Sequence, residues 1–445
     1  MMTINIYNKL ENKDLYLFFD YAEENTSGVK GFGKMQYLQP WHDGTLPLSS
    51  PYTCSFDWIN SGTFWFMVTN AAGAETIATH SNIPMGTADK NWVGGFFELT
   101  SLEIDKQAYF DITNVDQVGL LCGIKFSDGK KCGYALPAND FISGLEKACS
   151  LGTTVDVTRK VQLHLSSPAK ITINGTDGKP YAKLWGPTVP EVTSEYNELY
   201  IDYLSALAKN GTQVTIAADG TINDTAHSGT KLPEIKFTGA FGEPDSIPSG
   251  SSLQKSDVVL WFKSENWAPQ NAPTYLFFTK DAINSITILS GNSASGMYVF
   301  PAFEYADPTN QSSIKTGGWA ENVSLNWSAI GANAVKNTTC FQAMISSVGR
   351  DVVTALNLGY MGITEADKNF VYPKHKETYA PQETQNKYTN KWNKFITDNS
   401  DSYGMAYSDG THAKVQFYPP IDGTIDCYIL KQDDADTKTF CSKIP

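Results

Sequence analysis

The feature that most restricts the fold is a series of short aromatic and β-branched segments between residues 3 and 126. Turn residues separate six of them: "TINIYNKL", "DLYLFFDYA", "GTFWFMVTN", "FFELTSLEI", "AYFDITNV" and "VGLLCGIKF". Short segments of this composition, spaced by turns, are typical of the strands of a sandwich or barrel. The opening part of the chain therefore predicts a mainly β domain.

The pattern changes beyond this β region. Helices are predicted in "NDFISGLEKACS", "TSEYNELYIDYLSALAKNG", "CFQAMISSVGRDVVTALNLGY" and "NKYTNKWNKFITD", and strand-like segments return in "QVTIAADGTI", "EIKFTGAF" and "GTIDCYILKQ". The proline-bearing "VYPKHKETYAPQETQ" resembles a linker. We therefore predict a β domain over 1–184, an inserted mixed α/β domain over 185–380, and a segment 381–445 whose helix and strands return to the first domain.

Composition narrows the classes of partner. The chain has 445 residues, of which 41% are hydrophobic and 18% charged, and its net charge is −13. This balance indicates a globular protein with a sizeable core. It disfavours nucleic acid, which needs a basic surface, and it is compatible with an uncharged polysaccharide. No apolar run is long enough to span a bilayer, so no membrane partner is expected.

The cysteine and histidine patterns favour no metal or cofactor. The seven Cys include no CxxC pair and the six His are scattered, so no zinc site is indicated. Two alternatives stay open for the cysteines: local bridges Cys122–Cys132 and Cys427–Cys441, or buried free thiols. We expect neither a metal nor a cofactor.

Carboxylates gather in "GGFFELTSLEIDKQAYFDITNVDQVGL". Because alternate side chains of a strand share a face, Glu98 lies beside Thr100 and Asp111 beside Thr113. If the two strands pair, Glu98 and Asp111 line one polar surface. Asp116 joins them only if the chain bends near residues 114 and 115.

Two chemical interpretations of these carboxylates stay open. Glycoside hydrolysis uses one protonated and one ionised carboxyl group, and apolar surroundings or like charges separate their pKa values. A solvated acidic face or a calcium site has the same residue types, and spacing alone favours this second interpretation.

Several segments resemble a known family. "FFELT" and "YFDITNVDQVGL" resemble the acidic-cleft strands of thaumatin-like proteins, and more closely those of glycoside hydrolase family 64, the β-1,3-glucanases. "SGTFWF", "SEYNELYIDYLSAL", "AMISSVGRDVVTALNLGY" and "YTNKWNKFITDNSDSYGMAYSDGTHAKV" resemble further segments of that family in the same order.

The resemblance implies a thaumatin-like β-barrel or sandwich, an inserted mixed α/β domain and a broad groove between them. It implies an endo-type β-1,3-glucan hydrolase that releases short laminari-oligosaccharides with inversion. Glu98 is then the general acid and Asp116 the general base. Substrate-binding positions are implied at Asp111, Thr100, Thr113, Trp65, Tyr403, Tyr407 and Asp409.

The sequence departs from the family in the later helices. Leu358 replaces a basic residue after Asn357, Thr397 replaces a His, and Ser408 replaces the first Asp of an Asp-Asp pair. The alternatives are therefore a non-catalytic β-glucan-binding or defence protein on this scaffold, or a structural or storage protein.

The expected partner is β-1,3-glucan, and we expect a monomer. The family is extracellular, but the N-terminus "MMTINIYNKLENKDLYLFF" lacks the order of features of a signal peptide. The sequence thus indicates either a cytosolic protein or a mature extracellular form.

Overall fold

The structure is built mainly from strands along which inward-facing and outward-facing residues alternate. A computed structural model describes residues 1–10, 15–20, 26–30, 50–79, 90–101, 108–150, 170–186, 189, 203–218, 221–222, 230–231, 235–264, 273–283, 296–301, 303–305, 314–323, 340–359, 361–362, 369–371, 390–405 and 416–442. It is mainly β, as the sequence predicts, with several sheets. Strands and helices are numbered below in chain order.

The chain divides into two compact units. Unit 1 comprises Met1–Glu195 and Lys391–Pro445, and unit 2 comprises Tyr196–Asn390. The divisions lie about ten residues later than the boundaries expected after 184 and 380.

The first sheet of unit 1 is built from both ends of the chain. Its strands, in spatial order, are β10 (Lys131–Cys132), β9 (Cys122–Phe126), β24 (Thr424–Ile429), β1 (Met2–Asn8) and β4 (Tyr52–Phe56). β24 pairs in parallel with β1 and antiparallel with β9, so the last strand of the chain is the central strand of the sheet.

The second sheet of unit 1 carries the acidic stretch. Its strands, in spatial order, are β2 (Leu15–Asp20), β5 (Trp58–Thr69), β6 (Trp92–Ser101), β7 (Tyr109–Ile112) and β23 (Gln416–Phe417), and β3 (Thr26–Ser27) also pairs with β5. A three-stranded sheet follows the order β11 (Lys170–Asn174), β12 (Pro180–Trp185) and β8 (Gln117–Val118).

One hydrophobic core serves both large sheets of unit 1. Alternate residues such as Ile4 of β1 and Phe97 of β6 face it. The helices α1 (Ala71–Thr79), α2 (Ala138–Ser150) and α4 (Lys391–Asn399) also belong to this unit. Trp392 and Ile396 of α4 lie fully inside the same core, and burial of such side chains is the main driving force for folding.

Unit 2 combines a sheet with helices, as expected for the mixed α/β segment. Its sheet follows the order β19 (Met297–Phe300), β18 (Tyr275–Thr279), β17 (Val258–Ser264), β16 (Ile235–Phe241), β13 (Gln213–Ala218) and β22 (Asn369–Val371). Two further strand pairs are β14 (Thr221–Ile222) with β15 (Thr230–Lys231), and β20 (Phe303–Tyr305) with β21 (Ile314–Thr316). Helices cover 203–210 and α3 (Cys340–Asn357).

The predicted helices agree with the structure in three places and differ in extent in one. α2 and α3 lie where the sequence predicts them, and 203–210 covers the end of the predicted helix near Ala208. The last predicted helix begins at Lys391, five residues later than the pattern from Asn386 suggested.

Six cysteines of the described segments are buried free thiols. Cys54, Cys122, Cys132, Cys149, Cys427 and Cys441 form no disulfide. The local bridges Cys122–Cys132 and Cys427–Cys441 are therefore not formed, and the buried-thiol alternative is the one that the structure shows. Burial raises the pKa of the Cys149 thiol to about 12, so it stays protonated and unreactive at neutral pH.

Candidate active site

Polar side chains form one row across the second sheet of unit 1. The strand register aligns five residues, one per strand: Asp20, Thr63, Glu98, Asp111 and Gln416. We call this set the polar row. The two strands pair, with Glu98 opposite Asp111, so the condition under which these carboxylates share one surface is met.

The polar row lies on the face of the sheet that points away from the core. The flanking residues Phe64, Phe97 and Phe110 point inward and pack on one another, with ring centroids 4.8 and 5.1 Å apart. Side chains alternate along each strand, so the intervening Glu98 and Asp111 point outward. The aromatic layer beneath restricts movement of the backbone that carries the carboxylates.

Burial differs along the polar row. Asp111 is only 6% exposed, Glu98 is half-buried and Asp20 is exposed. The two carboxyl groups that face each other across β6 and β7 therefore differ in their access to solvent.

An aromatic cluster adjoins the polar row on the same face. It consists of Tyr16, Phe18, Trp65, Met67, Trp92 and Phe96. Trp65 stacks on Phe96 with centroids 4.0 Å apart and meets Trp92 edge-on at 6.0 Å. Trp65 is only 8% exposed, so its neighbours occupy most of the surface that the resemblance assigned to sugar binding. Its role as a binding residue stays a prediction.

Asp116 lies on a bend that links β7 to β8. The backbone bends at Val115 and Asp116. Asn114, just before the bend, is buried; its amide donates to the Tyr134 hydroxyl at 2.9 Å and to the Ser402 hydroxyl at 2.6 Å.

Two more hydrogen bonds fix the bend from outside. The Trp392 indole donates to the carbonyl oxygen of Asn114 at 2.9 Å, and the amide of Gly186 donates to the carbonyl oxygen of Asp116 at 2.6 Å. A methyl group on Gly186 would overlap the carbonyl oxygen of Val115. Glycine is therefore required for β12 to approach the bend this closely.

The other predicted binding residues do not lie together at one place in the described structure. Thr100 lies opposite Tyr109 in the register, next to the polar row. Thr113 forms an isolated bridge with Tyr403, and both side chains are buried. Tyr407 and Asp409 lie outside the described residues.

Asn357, which precedes the departure at Leu358, and Thr397 form hydrogen bonds within the fold. The Asn357 side chain donates to the carbonyl oxygen of Val353 at 3.0 Å and accepts from Asn390 at 2.7 Å. The Thr397 hydroxyl donates to the carbonyl oxygen of Asn393 at 2.9 Å.

The sequence interpretation missed several residues of this face. Asp20 follows the alternation of β2 and was detectable in principle, whereas Gln416 required knowledge that β23 pairs with β7. Lys183 is fully buried, with its ammonium nitrogen 3.8 Å from the centroid of the Trp92 ring. No sequence pattern indicates a buried lysine there.

Within the described segments, no group of three or more His, Cys, Asp and Glu side chains has a geometry that could hold a metal ion. No helix in the part of the chain described above is long and apolar enough to cross a bilayer.

Sequence comparison finds no match, whereas comparison with solved structures finds several of low similarity. No protein-family model matches the sequence, and no curated protein matches it either. A laminaripentaose-producing β-1,3-glucanase in complex with laminaritetraose is similar over 97% of this chain and 99% of its own, with a TM-score of 0.46 and 10% identity.

Two further solved structures carry the name of glycoside hydrolase family 64. A β-1,3-glucanase domain from Clostridium beijerinckii matches 96% of this chain and 98% of its own, with a TM-score of 0.47 and 12% identity. A laminaripentaose-producing β-1,3-glucanase from Paenibacillus barengoltzii matches 96% of this chain and 74% of its own, with a TM-score of 0.37 and 13% identity. The structural similarity to this family thus extends over nearly the whole chain.

Proposed function

We propose that this protein is an endo-type β-1,3-glucan hydrolase that releases short oligosaccharides by an inverting mechanism. The observation that carries the proposal is the pairing of half-buried Glu98 with buried Asp111 in the polar row. This row adjoins an aromatic cluster, and an anchored bend follows it at Asp116.

In this proposal Glu98 is the general acid. Its register partner is the buried carboxyl group of Asp111, and two adjacent carboxyl groups are costly to ionise together. Glu98 lies between the apolar residues Phe97 and Leu99 of its strand. A protonated Glu98 can donate its proton to the glycosidic oxygen as the bond to the anomeric carbon breaks.

Asp116 is the general base in the same proposal. An ionised carboxylate accepts a proton from a water molecule, whose oxygen attacks the anomeric carbon from the opposite face of the sugar. Inverting enzymes need room for this water between the two carboxyl groups. The hydrogen bonds at Asn114 and Gly186 hold the backbone of the bend in place, which suits a residue that must position water.

The decisive experiment is digestion of laminarin, with measurement of reducing ends, product length and the anomeric form of the first product. Glu98→Gln and Asp116→Asn preserve shape but remove the acid and the base, and each should lower the rate about 10²-fold or more. Glu243→Gln is the matched control, because Glu243 is an exposed carboxylate in unit 2.

The outcomes separate the candidate functions. Near-normal hydrolysis by either variant would remove the assignment of these roles. The departures at Leu358 and Thr397 favour a second candidate, a glucan-binding protein without activity. Binding of laminarin without cleavage by the unaltered protein would support that candidate. The absence of both binding and cleavage would favour a structural or storage role.

A further inference from the structure

The most exposed aromatic side chain of the described residues lies beside the polar row. Among the large hydrophobic side chains in the described ranges, only Met1 and Tyr418 are exposed, and Tyr418 is 39% exposed. A single exposed ring is ordinary on a protein surface, and it is the position of Tyr418 next to Gln416 and Tyr109 that makes it a candidate binding group.

The register places Tyr418 on the outer face of the sheet. Gln416 and Phe417 of β23 pair with Asp111 and Phe110 of β7. Phe417 packs toward the core, stacked on Phe126 at 5.6 Å. By alternation, Tyr418 points to the same side as Gln416, beside Tyr109.

Two contacts hold the Tyr418 ring in place. Its hydroxyl donates to the side-chain oxygen of Gln416 at 2.9 Å. Its ring meets that of Tyr109 edge-on, with centroids 5.6 Å apart and planes at 75°. The amide of Ala108 donates to the carbonyl oxygen of Pro419 at 2.8 Å, which fixes the adjoining backbone. The ring is therefore ordered before any ligand arrives, which lowers the entropic cost of binding.

We propose that Tyr418 stacks on a sugar ring of the β-1,3-glucan and so positions the part of the glucan that extends past Asp111. Gln416 supplies amide hydrogen bonds at the same place. This inference rests on the proposed function and adds a binding subsite at the β23 edge of the polar row. A flat ring with a polar tip provides apolar contact and a hydrogen-bonding group at one position.

A neutral oligosaccharide fits this surface better than a charged partner. The subsite continues the polar row, whose Asp111 and Gln416 lie one strand apart. The chain carries a net charge of −13, which disfavours polyanions. An uncharged sugar can use the ring face and the amide of Gln416 without bringing a charge next to Asp111.

The test is calorimetric titration with a linear β-1,3-linked hexasaccharide, together with kinetics on laminarin. Tyr418→Ala should weaken binding and raise KM about tenfold, with a smaller change in kcat. Tyr418→Phe retains the ring and should restore most of the affinity, which loss of fold would not allow. The product lengths of Tyr418→Ala should also differ from those of the unaltered protein.

The matched control is another partly exposed tyrosine pair in unit 1. Tyr7 stacks on Tyr428 at 4.6 Å on the first sheet, away from the polar row. Tyr7→Ala should leave affinity and product length unchanged. Equal effects of Tyr7→Ala and Tyr418→Ala would overturn the inference, as would unchanged affinity in Tyr418→Ala.

The titration also separates this inference from the proposed activity. If the protein binds the hexasaccharide without cleaving it, only the hydrolase proposal fails, and the comparison of variants still decides the role of Tyr418. If the unaltered protein neither binds nor cleaves, both proposals fail together.

Discussion

At the scale of single residues, alternation could predict that Glu98 and Asp111 share one face if their two neighbouring strands pair, and the strands do pair. Asp20 and Gln416 share the same row, yet they come from opposite ends of the sequence. Their place depends on which strands pair, and a local pattern contains no information on pairing between distant segments. The bend at Asp116 could not be predicted from the local sequence, because the residues that anchor it come from distant parts of the chain.

A substitution at Gly186 tests most directly whether the close approach of β12 holds the bend at Asp116 in place. We predict that Gly186→Ala destabilises the protein by about 1–3 kcal/mol, the usual cost of overpacking. The added methyl group would overlap the carbonyl oxygen of Val115 and displace the backbone of Asp116. Laminarin hydrolysis should fall even at temperatures where the variant remains folded, measured beside chemical denaturation.

Gly318→Ala is the control for Gly186→Ala. No atom lies within 4 Å of the position that a methyl group would take at Gly318, so this change should stay within about 0.5 kcal/mol. A Gly186→Ala protein of normal stability and activity would show that the approach of β12 to the bend is not required.

At the scale of elements, α4 links the core of unit 1 to the candidate site. Trp392 is fully buried, and its indole donates to the carbonyl oxygen of Asn114. The helical pattern of this segment could be read from the sequence, although its start could not. Its contact with the bend could not be predicted, because Trp392 and Asn114 are 278 residues apart.

We predict that Trp392→Phe weakens catalysis more than it weakens binding. The phenyl ring keeps most of the apolar contact but removes the donor to Asn114, and loss of a buried hydrogen-bond partner costs about 1–3 kcal/mol. A looser bend should misplace Asp116, so kcat on laminarin should fall while affinity for the hexasaccharide changes little.

Lys394→Ala on the same helix serves as the comparison. Lys394 forms an exposed ion pair with Asp398 at 2.8 Å, and such a pair contributes about 0.3–0.5 kcal/mol. Equal kinetic losses in the Lys394 and Trp392 variants would indicate a general effect of helix stability rather than a specific effect on the bend.

At the scale of the whole molecule, the return of the chain to its first domain was visible as a return of β pattern after residue 381. The structure places 391–445 in unit 1. The ten-residue difference in the boundaries has a simple reason: composition marks where elements change, whereas a compact unit is defined by tertiary contacts that a local pattern does not record.

This organisation predicts that the chain truncated after residue 390 does not fold to the native state. The truncation removes β24, which lies between β1 and β9, and so leaves two strands without their shared partner. It also removes Trp392 and Ile396 from the core, and loss of large core side chains costs about 2–5 kcal/mol each. That total is comparable with the whole stability of a typical domain, about 5–15 kcal/mol.

We expect 1–390 alone to lack a cooperative thermal transition and near-ultraviolet circular dichroism. Co-expression with a separate 391–445 fragment should restore both, because β24 supplies its pairing without a covalent connection to residue 390. A stable, cooperatively unfolding 1–390 chain would contradict the assignment of β24 as the central strand of the first sheet.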